Sequence, residues 1–484
     1  MGVLKGIKPE KVFAYFEHIA QIPHGSGNVE AISDYLADFA RQRGLQCIQD
    51  ESRNIIIIKE AASGYEQEPA LIIQGHMDMV AVHKPEYPVD MTREPLKLAV
   101  DGDRIYAEGT SLGGDDGIAV AYALALLDDD TLRHPRLEVV ITVDEEVGMD
   151  GARAIDLSML QGHRLLNLDS EEEGIFLTSC AGGARINCLL DLSESCQDRD
   201  GTVFEVTVGG LQGGHSGAEI HKERGNSNLL MARLLRKLAG SVPMGLCSCD
   251  GGLADNAIPR VTSARIVAAE GDEKQLMALV AEYHATLKRE LASKDPGVFA
   301  TISSQGKGSA KCLTGSDLQR AVNYLYSLPC GVQAMSADVQ GLVETSLNLG
   351  ILKVEGGRVT AEFSVRSCVD SSKQALLDKV QALTALAGGR CEITGDYPGW
   401  AYRVDSPLRN KMIALYEEMY GRAPRVEAIH AGLECGILAS KIPEMDGVSF
   451  GPNMYDIHTT EETLSISSTQ RVWDYLVRLL ERKD

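Results

Sequence analysis

The sequence lacks the features that mark a membrane protein or a disulfide-rich secreted domain. No apolar run approaches the ~20 residues that a helix needs to cross a bilayer. The first residues show no continuous apolar segment of the secretory type, since they read MGVLKGIKPEKVFAYFEHIAQIPHG. The 11 cysteines are an odd number with no repeated spacing, and none forms a Cys-x-x-Cys pair of the zinc-ribbon type. We therefore expect a cytoplasmic protein whose thiols are reduced.

Basic residues are also scarce relative to acidic ones. The chain has 47 Lys and Arg against 69 Asp and Glu, which leaves a formal charge of −22. That charge repels nucleic acids and anionic membranes, so neither is an expected partner. With 484 residues, of which 44% are hydrophobic and 24% charged, the chain has the composition of a globular enzyme and the length of more than one domain.

The pattern of apolar runs divides the chain into an interrupted domain and an insert. Short buried-strand patterns alternate with helical ones in residues 1–182, and they read NIIIIKE, ALIIQGHMDMV, RLEVVITVDEE and RLLNLDS. This alternation predicts an α/β domain with a mostly parallel central sheet. Residues 183–396 instead predict an α+β domain, including a hairpin that turns at Glu355-Gly356-Gly357. Residues 397–484 return to the first pattern, so we expect them to complete the first domain.

Acidic and histidine residues follow directly after three of the predicted strands. His76 and Asp78 end one, Glu145 and Glu146 another, and Asp169 a third. Open α/β sheets bind ligands at the carboxyl ends of their strands, because several loops converge there. A single Asp or Glu is more often a solvated residue or a helix cap, so it is the coincidence of several clusters that predicts one shared site.

This site has the side chains of a metal centre. One imidazole with several carboxylates and no thiolate suits zinc, cobalt or manganese. Asp115, in the Gly-rich loop before an apolar helix, adds a further carboxylate, and His458 in MYDIHTTEE is the best candidate for a second histidine. Five ligands are enough for two divalent ions that share a carboxylate and lie roughly 3.5–4 Å apart.

Four motifs together resemble a known family. GHMD, LGGDDG, DEEVG and GGHSG are similar to those of the dinuclear-zinc exopeptidases related to aminoacylases, carnosinases and succinyl-diaminopimelate desuccinylase. The SLGGDDGIAVA loop, HAGLECG and the double-sized insert most resemble the aminoacyl-histidine dipeptidase branch, which includes Xaa-His dipeptidases and cytosol non-specific dipeptidases. The resemblance covers essentially the full length. It implies a zinc-exopeptidase-like catalytic domain, an inserted lid or dimerisation domain, and a homodimer.

The resemblance also implies a role for each residue of the metal site. His76 and Asp169 would bind one ion, and Glu146 and His458 would bind the other. Asp115 would bridge the two ions.

Three further acidic residues receive roles in the same way. Asp78 would orient the ring of His76. Glu145 would be the general base that takes a proton from a water shared by the two metals. Asp116 would be a helix-start residue rather than a ligand.

Residues of the insert would bind the substrate. The resemblance implies that His215, in LQGGHSGAEI, stabilises the tetrahedral oxyanion. Arg366 would grip the substrate carboxylate through its guanidinium fork, with Asn256 near the same group. Glu434 in HAGLECG would lie near the substrate amine. The implied substrate is a dipeptide of the X-His type, such as carnosine.

Two other functions remain open from the sequence. An N-acyl-amino-acid deacylase or a desuccinylase would use the same metals but would lack an acid that binds a free amine. A non-catalytic metal-binding or scaffold protein on the same fold would have no need for a base at Glu145.

Overall fold

The chain folds into two compact units in a computed structural model that describes residues 2–484. The first unit contains the residues up to Ser179, together with Tyr402–Ala428 and Leu433–Asp484. The second unit contains Cys180–Ala401 and the short segment Ile429–Gly432. These limits lie a few residues from the predicted ones, and the sequence did not indicate that the short segment groups with the second unit.

Helices and strands succeed one another along the whole chain. Up to residue 180 the elements are α1 (Glu10–Ile19), α2 (Glu30–Gln42), β1 (Gln46–Gln49), β2 (Ile55–Lys59), β3 (Leu71–His76), β4 (Leu98–Asp101), β5 (Arg104–Ala107), α3 (Gly114–Leu127), β6 (Leu137–Thr142), α4 (Asp150–Ala154), β7 (Arg164–Asn167) and β8 (Ile175–Cys180). Residues 181–401 form β9 (Gly182–Asp191), β10 (Gln197–Gly209), β11 (Gly214–His215), α5 (Ser227–Ser241), β12 (Met244–Gly251), β13 (Ala257–Ile258), β14 (Thr262–Ala268), α6 (Glu273–Glu290), β15 (Phe299–Cys312), α7 (Gly315–Ser327), β16 (Gly331–Met335), β17 (Val343–Glu355), β18 (Arg358–Ser367), α8 (Asp370–Leu386) and β19 (Arg390–Tyr397). The remaining elements are α9 (Pro407–Tyr420), β20 (Arg425–Ile429), α10 (Glu434–Lys441), β21 (Asp446–Ser449), β22 (Met454–Tyr455), β23 (Thr463–Ser465) and α11 (Ile466–Glu481).

An eight-stranded sheet forms the centre of the first unit, in the order β1-β2-β6-β3-β7-β21-β8-β20. Its four middle strands, β6, β3, β7 and β21, run parallel. The pairs β1–β2, β2–β6 and β21–β8 are antiparallel. The α/β class is therefore confirmed, with the parallel strands at the centre of the sheet and antiparallel strands on either side.

Burial explains why these segments form strands and a central helix. Every residue of β2, β3 and β6 is buried, as expected for apolar strands covered on both faces. Helix α3 is buried along its whole length, which fits its almost uniformly apolar sequence. It starts from the Gly-rich loop that carries Asp115, so the core of the unit anchors that loop.

The second unit is built on a nine-stranded sheet in which neighbouring strands pair antiparallel. The predicted hairpin is confirmed, because β17 and β18 pair on either side of Gly356 and Gly357. Both glycines have positive φ, 56° and 81°, which residues with a side chain rarely adopt. Helices α5, α6, α7 and α8 contribute apolar residues to the core of this unit. Among the described helices, none is both long and apolar enough to cross a membrane.

Candidate active site

Three neighbouring parallel strands bring the predicted metal ligands to one edge of the first sheet. His76 is the last residue of β3, and Asp169 follows the end of β7. Glu145 and Glu146 follow the end of β6, which pairs with β3 on its other side. The structure thus brings together clusters that lie far apart in sequence, as the strand-end pattern predicted.

Asp115 lies between the two histidines. Its Oδ1 is 3.1 Å from Nε2 of His76, and its Oδ2 is 3.1 Å from Nε2 of His458. Nε2 of His76 is also 3.5 Å from Oδ1 of Asp169, and Nε2 of His458 is 2.9 Å from Oε1 of Glu146. Each oxygen of one carboxylate therefore faces a separate histidine–carboxylate pair.

These separations fit donor atoms that share a cation. Zinc bonds of about 2.0–2.1 Å in a tetrahedral site place neighbouring donor atoms roughly 3.3 Å apart. Oε1 of Glu146 is buried and accepts no hydrogen bond, although the His458 nitrogen is close to it. A buried carboxylate oxygen without a donor is costly unless something positive binds it. The nitrogen and oxygen donors therefore fit two divalent cations of the zinc, cobalt or manganese type.

The pKa values of the cluster reflect its dense negative charge. The neighbouring carboxylates of Asp115 and Glu146 raise the pKa of His458 to about 10. Burial, together with the neighbouring carboxylates, raises the pKa of Glu145 to about 8. Cations in the cluster would act against both shifts, since metal ligands bind in their deprotonated forms and a divalent ion favours nearby carboxylates.

Asp78 contacts His76 in two ways. Nδ1 of His76 lies 3.0 Å from the backbone carbonyl oxygen of Asp78 and 3.4 Å from its carboxylate Oδ1. The carbonyl is thus the nearer acceptor, and a proton on Nδ1 leaves Nε2 with its lone pair toward Asp115. The carboxylate also accepts hydrogen bonds from Ser26 Oγ at 2.8 Å and from the backbone N–H of Glu145 at 3.1 Å.

Asp116 lies deeper in the site than the sequence suggested. Its backbone is not helical, so it precedes the regular part of α3. Its carboxylate is fully buried and accepts the backbone N–H of His76 at 3.3 Å. One donor atom from each of Asp116, His76 and Asp169 fits within a group no wider than 4.8 Å. The sequence did not distinguish this buried position from an ordinary helix start.

Glu434 is another buried carboxylate of the first unit. Its Oε2 accepts hydrogen bonds from Gln74 Nε2 and Thr142 Oγ1, both at 2.6 Å. Its Oε1 is buried and has no hydrogen-bond partner. Burial and the nearby Glu145 raise the pKa of Glu434 to about 8.

His458 belongs to a loop with unusual backbone conformation. Its φ is 61° and that of Asp456 is 52°, both in the left-handed region. Residues other than glycine adopt this region infrequently, and such positions cluster at functional sites. The loop turns the His458 ring toward Asp115 and Glu146.

In the second unit, His215 lies on β11, and Asn256 directly precedes β13, the strand that pairs with β11. His215 on β11 is opposite Ala257 on β13, and the Ser216 N–H donates to the carbonyl oxygen of Asn256 at 2.8 Å. Nδ1 of His215 accepts the backbone N–H groups of Gly217 and Ala218, at 3.2 and 3.0 Å. Accepting on Nδ1 selects the neutral tautomer that carries its proton on Nε2. Burial and the charge of Arg366 lower the pKa of His215, which also favours the neutral ring.

Arg366 lies close to the same loop. A β-carbon on Gly217 would be 3.1 Å from Nε of Arg366 and 3.1 Å from Cε1 of His215, so the close approach needs a glycine there. Nε of Arg366 is buried and has no hydrogen-bond partner. The three residues predicted to bind substrate thus lie together in the second unit.

The sequence indicated no role for two buried side chains, Glu462 and His430. Glu462 accepts backbone N–H groups from the loop that carries Asp115. His430, which had no predicted role, lies in the second unit with Nε2 2.7 Å from Ser346 Oγ, while its buried Nδ1 has no partner. The residues next to each of them in the sequence do not indicate that the side chain is buried.

The fold and this cluster define an α/β protein with a paired imidazole–carboxylate centre at the carboxyl edge of its sheet. Residues 72–482 match peptidase family M20/M25/M40, and the chain belongs to that family. It is 36% identical over 481 residues to the cytosol non-specific dipeptidase of Escherichia coli K12, covering 99% of both chains. The crystal structure of aminoacylhistidine dipeptidase from Vibrio alginolyticus matches with a TM-score of 0.93 and 35% identity, covering 99% of this chain and 98% of that one. Aminopeptidase PepT from Bacillus cereus, with a TM-score of 0.56, 15% identity and 98% of each chain covered, shares the fold.

Proposed function

We propose that this protein is a metal-dependent dipeptidase that hydrolyses X-His dipeptides such as carnosine. The observation that carries the proposal is the position of Asp115, whose two carboxylate oxygens each lie 3.1 Å from a different histidine. The names of the Escherichia coli and Vibrio alginolyticus relatives support the dipeptide substrate.

The proposal assigns two divalent ions, zinc in the first instance, to the cluster in the first unit. His76 and Asp169 would hold one ion, Glu146 and His458 the other, and Asp115 would bind both. Bound there, the ions would supply Lewis acidity to the peptide carbonyl and acidify the attacking water.

Glu145 acts as the general base in this proposal. Its carboxylate takes a proton from the attacking water and later delivers it to the leaving amine. The Asp78 carboxylate, which accepts the Glu145 backbone N–H, keeps this turn in place.

The first unit would be a catalytic domain and the second a lid that supplies groups to the substrate. The Nε2–H of His215 would donate to the developing oxyanion, a role for which a neutral ring with its proton on Nε2 is suited. Arg366, with its unpartnered Nε, would bind the substrate carboxylate, and Asn256 would bind nearby.

A cytoplasmic location and a homodimer complete the proposal. All 11 cysteines lie in the described part of the chain and none forms a disulfide there, which fits a reducing compartment. The Escherichia coli relative is named a cytosol enzyme. The homodimer follows from the family resemblance, and size-exclusion chromatography with light scattering tests it.

The experiment that tests the function compares carnosine with N-acetylcarnosine, before and after zinc or manganese is restored to metal-free protein. Metal-dependent cleavage of carnosine alone is the expected result. A deacylase would cleave only the blocked compound, and cleavage of neither would refute the X-His substrate and leave the metal site in place.

The buried carboxylate of Glu434 favours the dipeptidase over the deacylase. Its unpartnered Oε1 is an acceptor that a free substrate amine would satisfy, whereas an acylated nitrogen carries no charge to offer it. The variant Glu434→Gln separates the two functions. A dipeptidase would lose affinity for carnosine, and a deacylase that leaves the amine unbound would keep its affinity for the blocked compound.

A further inference from the structure

The carboxylate of Glu462 binds four consecutive backbone N–H groups. Its Oε2 accepts from Leu112 at 2.7 Å and Gly113 at 3.1 Å, and its Oε1 accepts from Gly114 at 2.8 Å and Asp115 at 3.4 Å. The N–H groups at the start of a helix have no partners within the helix, and here they precede and open α3. Glu462 is only 3% exposed, so water does not serve as an alternative partner.

This contact joins two segments that carry proposed ligands of the same ion. Asp115 carries the last of the four backbone N–H donors. Glu462 lies four residues after His458, in the sequence HTTEE. The backbone N–H of Glu462 bonds to the carbonyl oxygen of Thr459 at 3.4 Å, which ties the carboxylate to the His458 turn. Because both carboxylate oxygens already accept N–H groups, Glu462 is oriented toward the loop backbone and not as a further metal ligand.

We propose that Glu462 is a positioning residue that sets the distance between Asp115 and His458 and thereby the affinity for the second divalent ion. This inference rests on the metal centre of the proposed function. A bridging carboxylate must be held for two ions at once, so a small displacement of its loop affects the ion that depends on Asp115 and His458 together. The His76–Asp169 pair comes from two adjacent strands and needs no such tie.

The test is Glu462→Gln in the full-length protein, titrated with Zn²⁺ or Mn²⁺ against a chromophoric chelator. The amide has the same shape but turns an N–H₂ donor toward N–H donors. We expect the dissociation constant of the second ion to rise about 10–100-fold, the range found for residues that support metal ligands. The dissociation constant of the first ion should change far less.

Glu138→Gln is a matched control. Glu138 is also fully buried and accepts the backbone N–H groups of Gln161 and Gly162, but it lies near the opposite end of β6. Both variants should lower the melting temperature of the metal-free protein, because both lose buried hydrogen bonds. Only the Glu462 variant should raise the dissociation constant of the second ion.

The outcomes separate this inference from the proposed function. If Glu462→Gln melts lower but binds both ions as the native protein does, Glu462 is merely structural and the inference is wrong. If the native protein binds no ions, the proposed metal centre itself fails. Should Glu462→Gln not fold, Glu462→Asp keeps the charge on a shorter chain, and unchanged binding of the second ion by that variant overturns the inference.

A separate observation concerns two thiols of the second unit. Cys188 on β9 is directly opposite Cys391 on β19, the last strand of its sheet, and their sulfur atoms are 3.2 Å apart. Opposite residues of an antiparallel pair have Cα atoms about 4.5–5.5 Å apart, within the range that a disulfide spans. Cys188 is 1% exposed, whereas Cys391 is partly exposed, so a reagent reaches Cys391 first.

We infer that Cys188 and Cys391 form a site of reversible oxidation by small-molecule disulfides such as glutathione disulfide. The Cys391 thiolate attacks one sulfur of the reagent, which forms a mixed disulfide and releases one glutathione thiolate. Cys188 then gives up its proton and attacks the Cys391 sulfur, which closes the protein disulfide and releases the second glutathione. The hydrogen bond with Cys188 lowers the pKa of Cys391 to about 7, so much of it is thiolate near neutral pH.

Thiol counting and peptide mapping of the oxidised full-length protein test this inference. Two of the 11 thiols should disappear, and a non-reduced digest should contain one linked peptide pair that carries Cys188 and Cys391. Cys188→Ser should stop at the mixed disulfide, and Cys247→Ser should leave the link intact. A reduced Cys391, or a link to any other cysteine, would overturn the inference.

Discussion

The carboxylate of Asp78 accepts the backbone N–H of Glu145 at 3.1 Å. The residue predicted to orient His76 therefore also holds the turn that carries the proposed base. This double role follows from the order of the sheet, because Asp78 and Glu145 follow the adjacent parallel strands β3 and β6. The first two predictions test the two ends of this contact.

Asp78→Asn should lower kcat/KM of carnosine hydrolysis by roughly 10–100-fold and weaken metal binding. Its amide nitrogen cannot accept the hydrogen bonds that a carboxylate oxygen accepts. Ser26→Ala removes only the 2.8 Å hydrogen bond to the same carboxylate and should have a smaller effect. Steady-state kinetics and a metal titration measure both changes. Equal effects of the two substitutions would show that the contact with Glu145 is unimportant.

Glu145→Gln should lower kcat by about 10²–10⁴-fold, the usual range for loss of a general base. Because Glu145 is not among the five proposed ligands, the protein should keep two ions per chain, which elemental analysis counts. KM should change much less than kcat. A variant that retains native kcat would refute the assigned base.

His458→Ala should reduce the metal content from two ions per chain to one, because it removes a ligand that only the second ion uses. Mass spectrometry of metal content after dialysis measures the ratio. His163→Ala is the control, since His163 is an exposed histidine of the first unit whose Nδ1 contacts the carbonyl oxygen of Pro443. Retention of two ions by His458→Ala would contradict the ligand assignment.

His215→Ala should lower kcat by roughly 10²–10³-fold, as expected when one oxyanion donor is lost. The metal content should stay unchanged, because His215 belongs to the second unit. His221→Ala, in the same segment of the chain, should keep most of the activity. A similar loss in both variants would point to a general disturbance of the loop.

The stability of the second unit should decrease as the pH falls from about 6.5 toward 4. Burial, with Arg366 and His221 nearby, lowers the pKa of His430 from 6.5 to about 4. Between these values the unfolded chain binds a proton that the folded ring does not, so acid favours unfolding. Above 6.5 the ring is neutral in both states and its contribution is constant.

Fluorescence-monitored denaturation of metal-free protein measures this effect. The chain has two tryptophans, and Trp473→Phe leaves Trp400, which belongs to the second unit, as the reporter. Adding His430→Gln should reduce the pH dependence in this window, and the lowered pKa of His215 in the same unit accounts for a remaining slope. A slope as steep in the double variant as in Trp473→Phe alone would show that His430 does not cause the effect.

Most of the fold was predictable because burial leaves a clear mark on composition. The mostly apolar runs of β2, β3 and β6, and the apolar α3, indicated core elements, and every residue of these elements is buried. The direction of the flanking strands was not predictable. Strand β2 reads like a central parallel strand but pairs antiparallel with β6, and a run of isoleucines carries no information about the direction of its neighbour.

The positions of the strand-end residues could be expected together, whereas the support around them could not. His76 and Glu145 stand next to apolar runs, and that is a local signal. The hydrogen bonds of Glu462 and Glu434 to Leu112, Gln74 and Thr142 join chain segments that are 350, 360 and 292 residues apart. A buried Glu with four N–H partners and a solvated Glu have the same sequence signature, since what differs is only which distant backbone lies beside it.

By itself the sequence determined which elements form, which residue types gather at the strand ends, and which family the motifs resemble. These properties depend on neighbours along the chain and on the alternation of apolar and polar residues. Only the tertiary structure decided that the two oxygens of Asp115 face different histidines and that Nδ1 of His215 accepts backbone N–H groups. Such relationships are set to a few tenths of an ångström by packing between distant segments, and no local pattern encodes that packing.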